Sequence, residues 1–374
     1  MGINSSGLLT RLLQRAGNMV GSYAVPVLAI TAIVILVGIT GLLQVYVDGS
    51  LLSNFRPGCE VLAADTMLNQ KFGGTNTLNI IVDGKNQDDM KSPEILCAIE
   101  RLQHELEGMD EVGATLSIAD YLKRMNRVMN ENRREYSRIP DSEELVAQYL
   151  LLYSLSGDPD DFDDVIDYDY RLANVRVRVN SDSSPVLKRV LDNVRSLGAS
   201  IFRGLPVSIH PAGGVMTSYT FMDLIIKGQL LSILTSIVAV FLITALMFRS
   251  LMAGLFCIIP VAIATLLNFS LMGATGIPLG VTTAILSGMG IGIGASGRAI
   301  FFNAIVVTAG FLVLMISNFP PSRWLSALVS ANMVSALLGA LTVLPACLAV
   351  IRPKFADKTA NRKGPQARGA KDAK

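Results

Sequence analysis

The sequence predicts an α-helical membrane protein of about six transmembrane helices, split one plus five, carrying an extracytoplasmic α/β domain of the split βαβ type. Three observations predict it. Of the 374 residues, 51% are apolar, and they gather in long uncharged runs instead of recurring with a period. The first run stands apart from the others, separated by a segment with ordinary strand and helix patterns. Of the 30 acidic residues, 28 lie between Asp48 and Asp223, against 18 of the Lys and Arg. The formal net charge of +2 therefore hides an acidic domain on a basic membrane part, a balance that gives no support to nucleic-acid binding.

Residues 1–24 form a short N-terminal segment, and residues 25–47 the first span. Val25 to Val47 holds no charge, and at about 1.5 Å per residue it is long enough for a hydrocarbon core of about 30 Å. A signal peptide has an apolar core of only about 7–15 residues, so the run reads as a retained anchor.

Residues 48–223 make the α/β domain. Thr77 to Val82 is a β-branched, alternating strand. Ser92 and Pro93 open a helix that carries Ile95, Leu96, Ile99, Leu102 and Leu106 at helical spacing and stops at Gly108. Leu172 to Val179 reads as a strand, Ser184 to Phe202 as an amphipathic helix and Pro206 to His210 as a strand. Two strand-helix-strand units of this kind suggest the split βαβ sandwich. Tyr121 to Met129 and Glu143 to Leu155 are helical patterns between them and form an insertion.

Residues 224–351 hold five spans, Ile225 to Phe248, Leu251 to Met272, Leu279 to Gly294, Ala299 to Ser317 and Leu325 to Ile351. Backbone groups cannot go unpaired in lipid, so these are helices. Arg11, Arg15, Arg249, Arg298, Arg352, Lys354 and Lys358 all fall on one side of the membrane, whereas Arg323 is the short-loop cation on the other. The positive-inside rule then puts both termini in the cytoplasm of a multi-pass protein of the cytoplasmic (inner or plasma) membrane. Residues 352–374 read as a basic, disordered tail.

Catalytic and metal chemistry find little support. No Ser/His/Asp arrangement, phosphate loop with Lys or pair of acids in an apolar setting is present, so no enzyme activity and no cofactor is expected. His104 and His210 have no metal-ligand spacing around them. The acidic run from Asp158 to Asp169 lacks the Gly and Glu that an EF-hand loop needs at its sixth and twelfth positions, and reads as a solvated loop. Cys59 and Cys97 could form a disulfide on an oxidising side, but they read as buried small hydrophobes. Gly288, Gly290, Gly292 and Gly294 lie inside a span, where close helix packing explains them. Gln229, Asn268, Asn303 and Asn332 are polar positions within spans, each in need of a partner in lipid.

Several segments in order resemble a known family: FGGTNTLNIIV at Phe72 to Val82, KGQ at Lys227 to Gln229, FRS at Phe248 to Ser250 and Pro260 in the third span. LMGATGIPL at Leu271 to Leu279, GIGIG at Gly290 to Gly294, GRAIFFNA at Gly297 to Ala304, AGFLVLMIS at Ala309 to Ser317 and LGALTVLP at Leu338 to Pro345 continue it. With the order one span, outer domain, five spans, the chain resembles one half of an RND-superfamily exporter of the MMPL or hydrophobe/amphiphile efflux branch. The resemblance implies export of lipids or other hydrophobic or amphiphilic substrates from the bilayer by a homodimer or larger homo-oligomer.

One departure matters. Family members continue after the Gly294 position with Val-Asp-Tyr and a cytoplasmic helix, and that Asp is expected to carry the driving proton. Here Gly294 passes through Ala295 and Ser296 to Gly297 and Arg298, and between Gly228 and Ile351 the charged side chains are Arg249, Arg298 and Arg323. Arg does not release its proton at physiological pH. The expectation is a chain that folds and inserts but lacks proton-driven pumping of its own, with a non-transporting lipid-binding or assembly partner as the alternative.

Overall fold

The computed structural model describes residues 19–156 except Gly21, residues 164–280, Thr283 and residues 297–351, with the backbone alone for Ser156 and residues 297–303. In chain order come α1 (Ala24–Leu42), α2 (Glu60–Phe72), β1 (Asn76–Gly84), α3 (Pro93–Glu107), β2 (Val112–Leu116), α4 (Ile118–Met129) and α5 (Glu143–Ser156). They are followed by β3 (Leu172–Val179), α6 (Ser184–Ile201), β4 (Val207–Ala212), α7 (Gly213–Phe248), α8 (Leu251–Thr275), α9 (Gly297–Leu312), α10 (Pro320–Leu338) and α11 (Leu344–Ile351). Asp48–Asp223 form one compact unit, and the residues before and after it form the other.

In the α/β unit the sheet order is β2-β3-β1-β4 with every neighbouring pair antiparallel. β1 and β2 flank β3, and β3 and β4 flank β1, so two split βαβ units interlock. Alternation sends Leu78, Ile80 and Val82 of β1 and Ala173, Val175, Val177 and Val179 of β3 into a single core. Ile95, Ile99 and Leu102 of α3 and Leu187, Val190 and Val194 of α6 cover them. Each such side chain contributes about 1.5–3 kcal/mol by leaving water. The opposite sheet face carries Asn79, Asp83, Arg176 and Arg178, as expected for an antiparallel sheet with one wetter side.

The chain enters this unit through a clasp on the start of α6. Asp48 accepts hydrogen bonds from the Ser50 and Ser184 N–H groups (3.1 and 3.0 Å), and Gly49 N–H donates to Ser184 Oγ (2.9 Å). Asp182 accepts from Ser50 Oγ (2.7 Å) and the Leu52 N–H (3.0 Å). A carboxylate at a helix N-terminus also meets the positive end of its dipole.

Two elements here were not among those expected from the sequence. Val61, Ala64, Leu68 and Phe72 recur at helical spacing along α2, although none of its residues is buried. β2 has five residues and a register shift between Val112 and Ala114, too short and irregular for alternation to show. Their junction accounts for the glycines of the FGGT segment. Gly73 ends α2 in a left-handed conformation (φ +78°), with its N–H on the Asn69 carbonyl, and a Cβ there would lie 2.7 Å from the Gly113 backbone.

The cysteine reading needs correction. Cys59 and Cys97 are free thiols; Cys97 is exposed on α3 and Cys59 partly exposed, because Ile95, Leu96, Ala98 and Ile99 take the inner face of that helix. Partial burial and the nearby Glu100 hold the Cys97 thiol above its ordinary pKa. The acidic run falls partly outside the described residues. Within its described part, Asp167 accepts from the N–H groups of Arg171 and Leu172, and Asp164 pairs with Arg176.

In the helical unit, four helices are long and apolar enough to cross a bilayer: Ala24–Leu42, Gly213–Phe248, Leu251–Thr275 and Pro320–Ile351. Only 11% of the most apolar window of the first and 6% of the second is buried within the protein, so their apolar surface needs lipid. A shorter apolar helix covers Ala304–Ile316. The count of six expected spans is thus not reached among the described residues. The fourth, Leu279 to Gly294, lies largely outside them, and Leu279 is extended, bridging Val47 and donating its N–H to the Tyr46 carbonyl.

Three span boundaries also move. α1 ends at Leu42, not Val47, since Tyr46 and Val47 turn to pair with Gly276 and Leu279. α7 starts at Gly213, twelve residues before Ile225, because neither Pro nor a left-handed residue interrupts the chain after Gly213 (φ +86°). The last span starts at Pro320, where Pro suits the first turn, and contains a π-helical turn at Gly339–Val343. Pro345 follows directly; it has no N–H to return to the preceding turn, and the wider turn accommodates that.

α1 runs parallel to α8, since Gly38 meets Leu266 and Gly41 meets Ser270 and Gly273. A Cβ on Gly41 would stand 2.8 Å from the Ser270 carbonyl oxygen, so the two backbones touch. Val20 and Ala24 at the start of α1 pack on Ala346 of α11, which sets α10 and α11 antiparallel to both.

Gly73→Ala should lower the thermal stability of the full chain, the left-handed conformation alone costing about 1–2 kcal/mol; a melt followed by circular dichroism reads it. Gly41→Leu should separate α1 from α8 and reduce the folded yield in detergent, whereas Gly228→Leu, which meets open space, should leave that yield unchanged.

Candidate functional site

Polar side chains inside the helical unit are the candidates, because lipid offers them no alternative partner. Pro260 of α8 lies against Gly339, the first residue of the π-helical turn, at 3.3 Å from a Cβ placed there. About two turns from that contact along each antiparallel helix, Asn268 and Asn332 reach the same level. Both are buried, at 3% and 5% exposure. Asn332 is seven residues from Gly339 and shares its face of α10; Asn268 continues the buried row of Pro260 and Ala264 on α8. The structure therefore brings these two predicted residues to one interface.

Asn268 Oδ1 has no hydrogen-bond partner there. Ser330 Oγ on α10 and Thr308 Oγ1 on α9 are likewise buried and unpartnered. Ser326, fully buried, instead donates to the Phe311 carbonyl (2.6 Å) and ties α10 to α9. Apolar packing of Val329 and Met333 on Val307 and Phe311 completes that contact. Buried polar atoms are nearly always paired in folded proteins; these three, on α8, α9 and α10, have no partner among the described residues.

Gln229 does not join them. It sits on α7 with its Nε2 buried and unpartnered, about three turns before Phe241, the residue through which α7 covers Gly254 of α8. Asn303 is on α9, but its side chain lies outside the described residues, as do Gly288, Gly290, Gly292 and Gly294 and the Ala295–Ser296 link. The close packing assigned to those glycines occurs, among the described residues, at Gly38, Gly41 and Gly273. Sequence reasoning missed Ser326, Ser330 and Thr308; hydroxyls that can bond their own helix carry no pattern. Gly38 and Gly41, three residues apart on α1, were the readable signal for the helix contact.

A set of apolar spans interrupted after the first by an interlocked split βαβ unit, with polar groups held between spans, defines a multi-pass membrane protein of the transporter type. Residues 57–296 match the MMPL family, and the chain belongs to it. A membrane protein of Methanocaldococcus jannaschii is 21% identical over 316 residues, covering 75% of this chain and 78% of that relative. The cryo-EM structure of the hedgehog release protein Disp of the water bear Hypsibius dujardini shares the fold with a TM-score of 0.62 at 14% identity. That match covers 94% of this chain and 51% of the other: the chain spans about half the length of the water-bear protein.

Asn268→Leu keeps the side-chain branching and removes an unpaired acceptor whose burial costs about 1–3 kcal/mol. The variant should melt no lower than the parent in detergent, while losing whatever activity the polar contact serves; a melt paired with the flux assay below separates the two effects.

Proposed function

We propose that the chain is a half-size RND-type exporter of hydrophobic or amphiphilic substrates that works as a pair of copies and does not draw on a proton relay of its own. Membership of the MMPL family supports transport. One observation carries the energetic part: from Leu224 through Ile351 there is no Asp or Glu at all. A proton relay in a bilayer needs a group that titrates near neutral pH, which is why intramembrane carboxylates are kept at such cost. Asn268, Asn332, Ser330 and Thr308 can orient water or a polar headgroup, but they do not change charge.

The resemblance to one half of an RND exporter supports pairing with a second copy. The distribution of Lys and Arg supports a cytoplasmic membrane with both termini inside and the α/β unit outside. No enzymatic step and no cofactor enters this reading. The lack of any carboxylate also favours a second reading, a lipid-binding or assembly partner that keeps the fold without transporting.

Reconstitution of the purified chain in proteoliposomes with a fluorescent amphiphile tests both. Flux down the substrate's own gradient, unchanged by an imposed pH gradient, is expected. Acceleration by the pH gradient would overturn the loss of coupling, and an absence of flux under every condition would leave the binding partner as the function.

A further inference from the structure

The insertion helices α4 and α5 enclose a cleft of about 450 Å³ within the α/β unit, inside the range of about 300–1,000 Å³ typical of small-molecule sites. Tyr121, Tyr149 and Tyr153 give it aromatic walls, and Met125 and Met129 adaptable ones. Its rim leaves Val128, Met129 and Leu152 uncovered, at 61%, 51% and 43% exposure. The cause is local: α5 is apolar on all sides (EELVAQYLLLYSLS), so burying Val146 and Leu150 against the core leaves a second apolar face outside.

The cleft is held open rather than loosely formed. Ser117 and Asp120 close a capping box at the start of α4. Buried Gln103 of α3 accepts from Ser117 Oγ (2.7 Å) and donates to Asp120 (2.7 Å). Lys123 reaches Glu100 at 3.0 Å. Behind the lining residues, Asn126, buried on α4, donates to the Arg138 carbonyl and accepts from the Tyr149 hydroxyl (2.9 and 3.2 Å) and so ties α4 to α5.

One charge at the cleft stands apart. Lys123, Arg127, Arg133 and Arg138 each have an acceptor on this protein, whereas Arg124, exposed on the cleft wall, has none among the described residues. An apolar, aromatic-walled groove whose edge carries a guanidinium with no acceptor among the described residues is complementary to a molecule with one apolar chain and one anionic head. We infer that this cleft binds a single-chain anionic amphiphile, a long-chain carboxylate, with the chain between α4 and α5 and the carboxylate on Arg124. Binding here goes beyond the transport reading and holds whether or not the chain exports anything.

The test uses the full chain in phosphatidylcholine nanodiscs with a diazirine-bearing C16 fatty acid, its methyl ester as the uncharged control, and mapping of the photo-adducts by mass spectrometry. Saturable adducts on residues 121–129 and 149–153 are expected, formed by the acid in preference to the ester. R124Q should weaken the acid by about tenfold and abolish that preference, R124K should keep the preference, and V128W should block both ligands by filling the cleft. Since Arg124 and Val128 are exposed, circular dichroism melts of these variants should match the parent. Equal labelling by acid and ester, adducts confined to other segments, or an R124Q variant that binds like the parent would each overturn the inference. So would crosslinks between copies through α5 that exclude the ligand, which would make the groove a contact with a second chain.

Discussion

Helices in a bilayer gain nothing from leaving water, so they hold together where their backbones can come close. In this protein that constraint is met at Gly38, Gly41 and Gly273, where α1 and α8 touch. The rest of the helical unit builds on this pair. α11 packs back on the start of α1 through Ala346, α10 reaches α8 through Gly339 and Pro260, and α9 is carried on α10 by Ser326, Val329 and Met333. Small residues at the first contact thereby decide where every later one falls.

The same arrangement concentrates irregularity. Pro260 interrupts the hydrogen-bond ladder of α8, and the π-helical turn at Gly339–Val343 widens the last span beside it, just before Pro345. Asn268 and Asn332 follow about two turns away, with buried hydroxyls on α9 and α10 that lack partners. In an apolar medium such groups are costly, and here they gather beside the two irregular stretches of α8 and the last span.

The α/β unit follows the other solvent's rules. Its core is a two-layer sandwich stabilised by burial, and its helical insertion shares that core while leaving an apolar cleft with an unpaired arginine at the rim. A stable frame can carry an accessible groove of this kind without loosening its own fold.

Hydrophobic clustering and period were enough, from the sequence alone, to establish membrane insertion, the uneven placement of the α/β unit, and the strands and helices at Asn76–Gly84, Pro93–Glu107, Leu172–Val179 and Ser184–Ile201. Those properties are set by how each segment partitions and repeats, which is local. The placing of Asn268 and Asn332 at one helix interface, the contact of Gly41 with Gly273, the left-handed Gly73 against Gly113, and the cleft beside Arg124 were decided only by tertiary structure. β2 belongs with them, since its ladder is short and irregular. Each depends on which faces meet across distant parts of the chain, and residues far apart in sequence leave no periodic trace of that meeting.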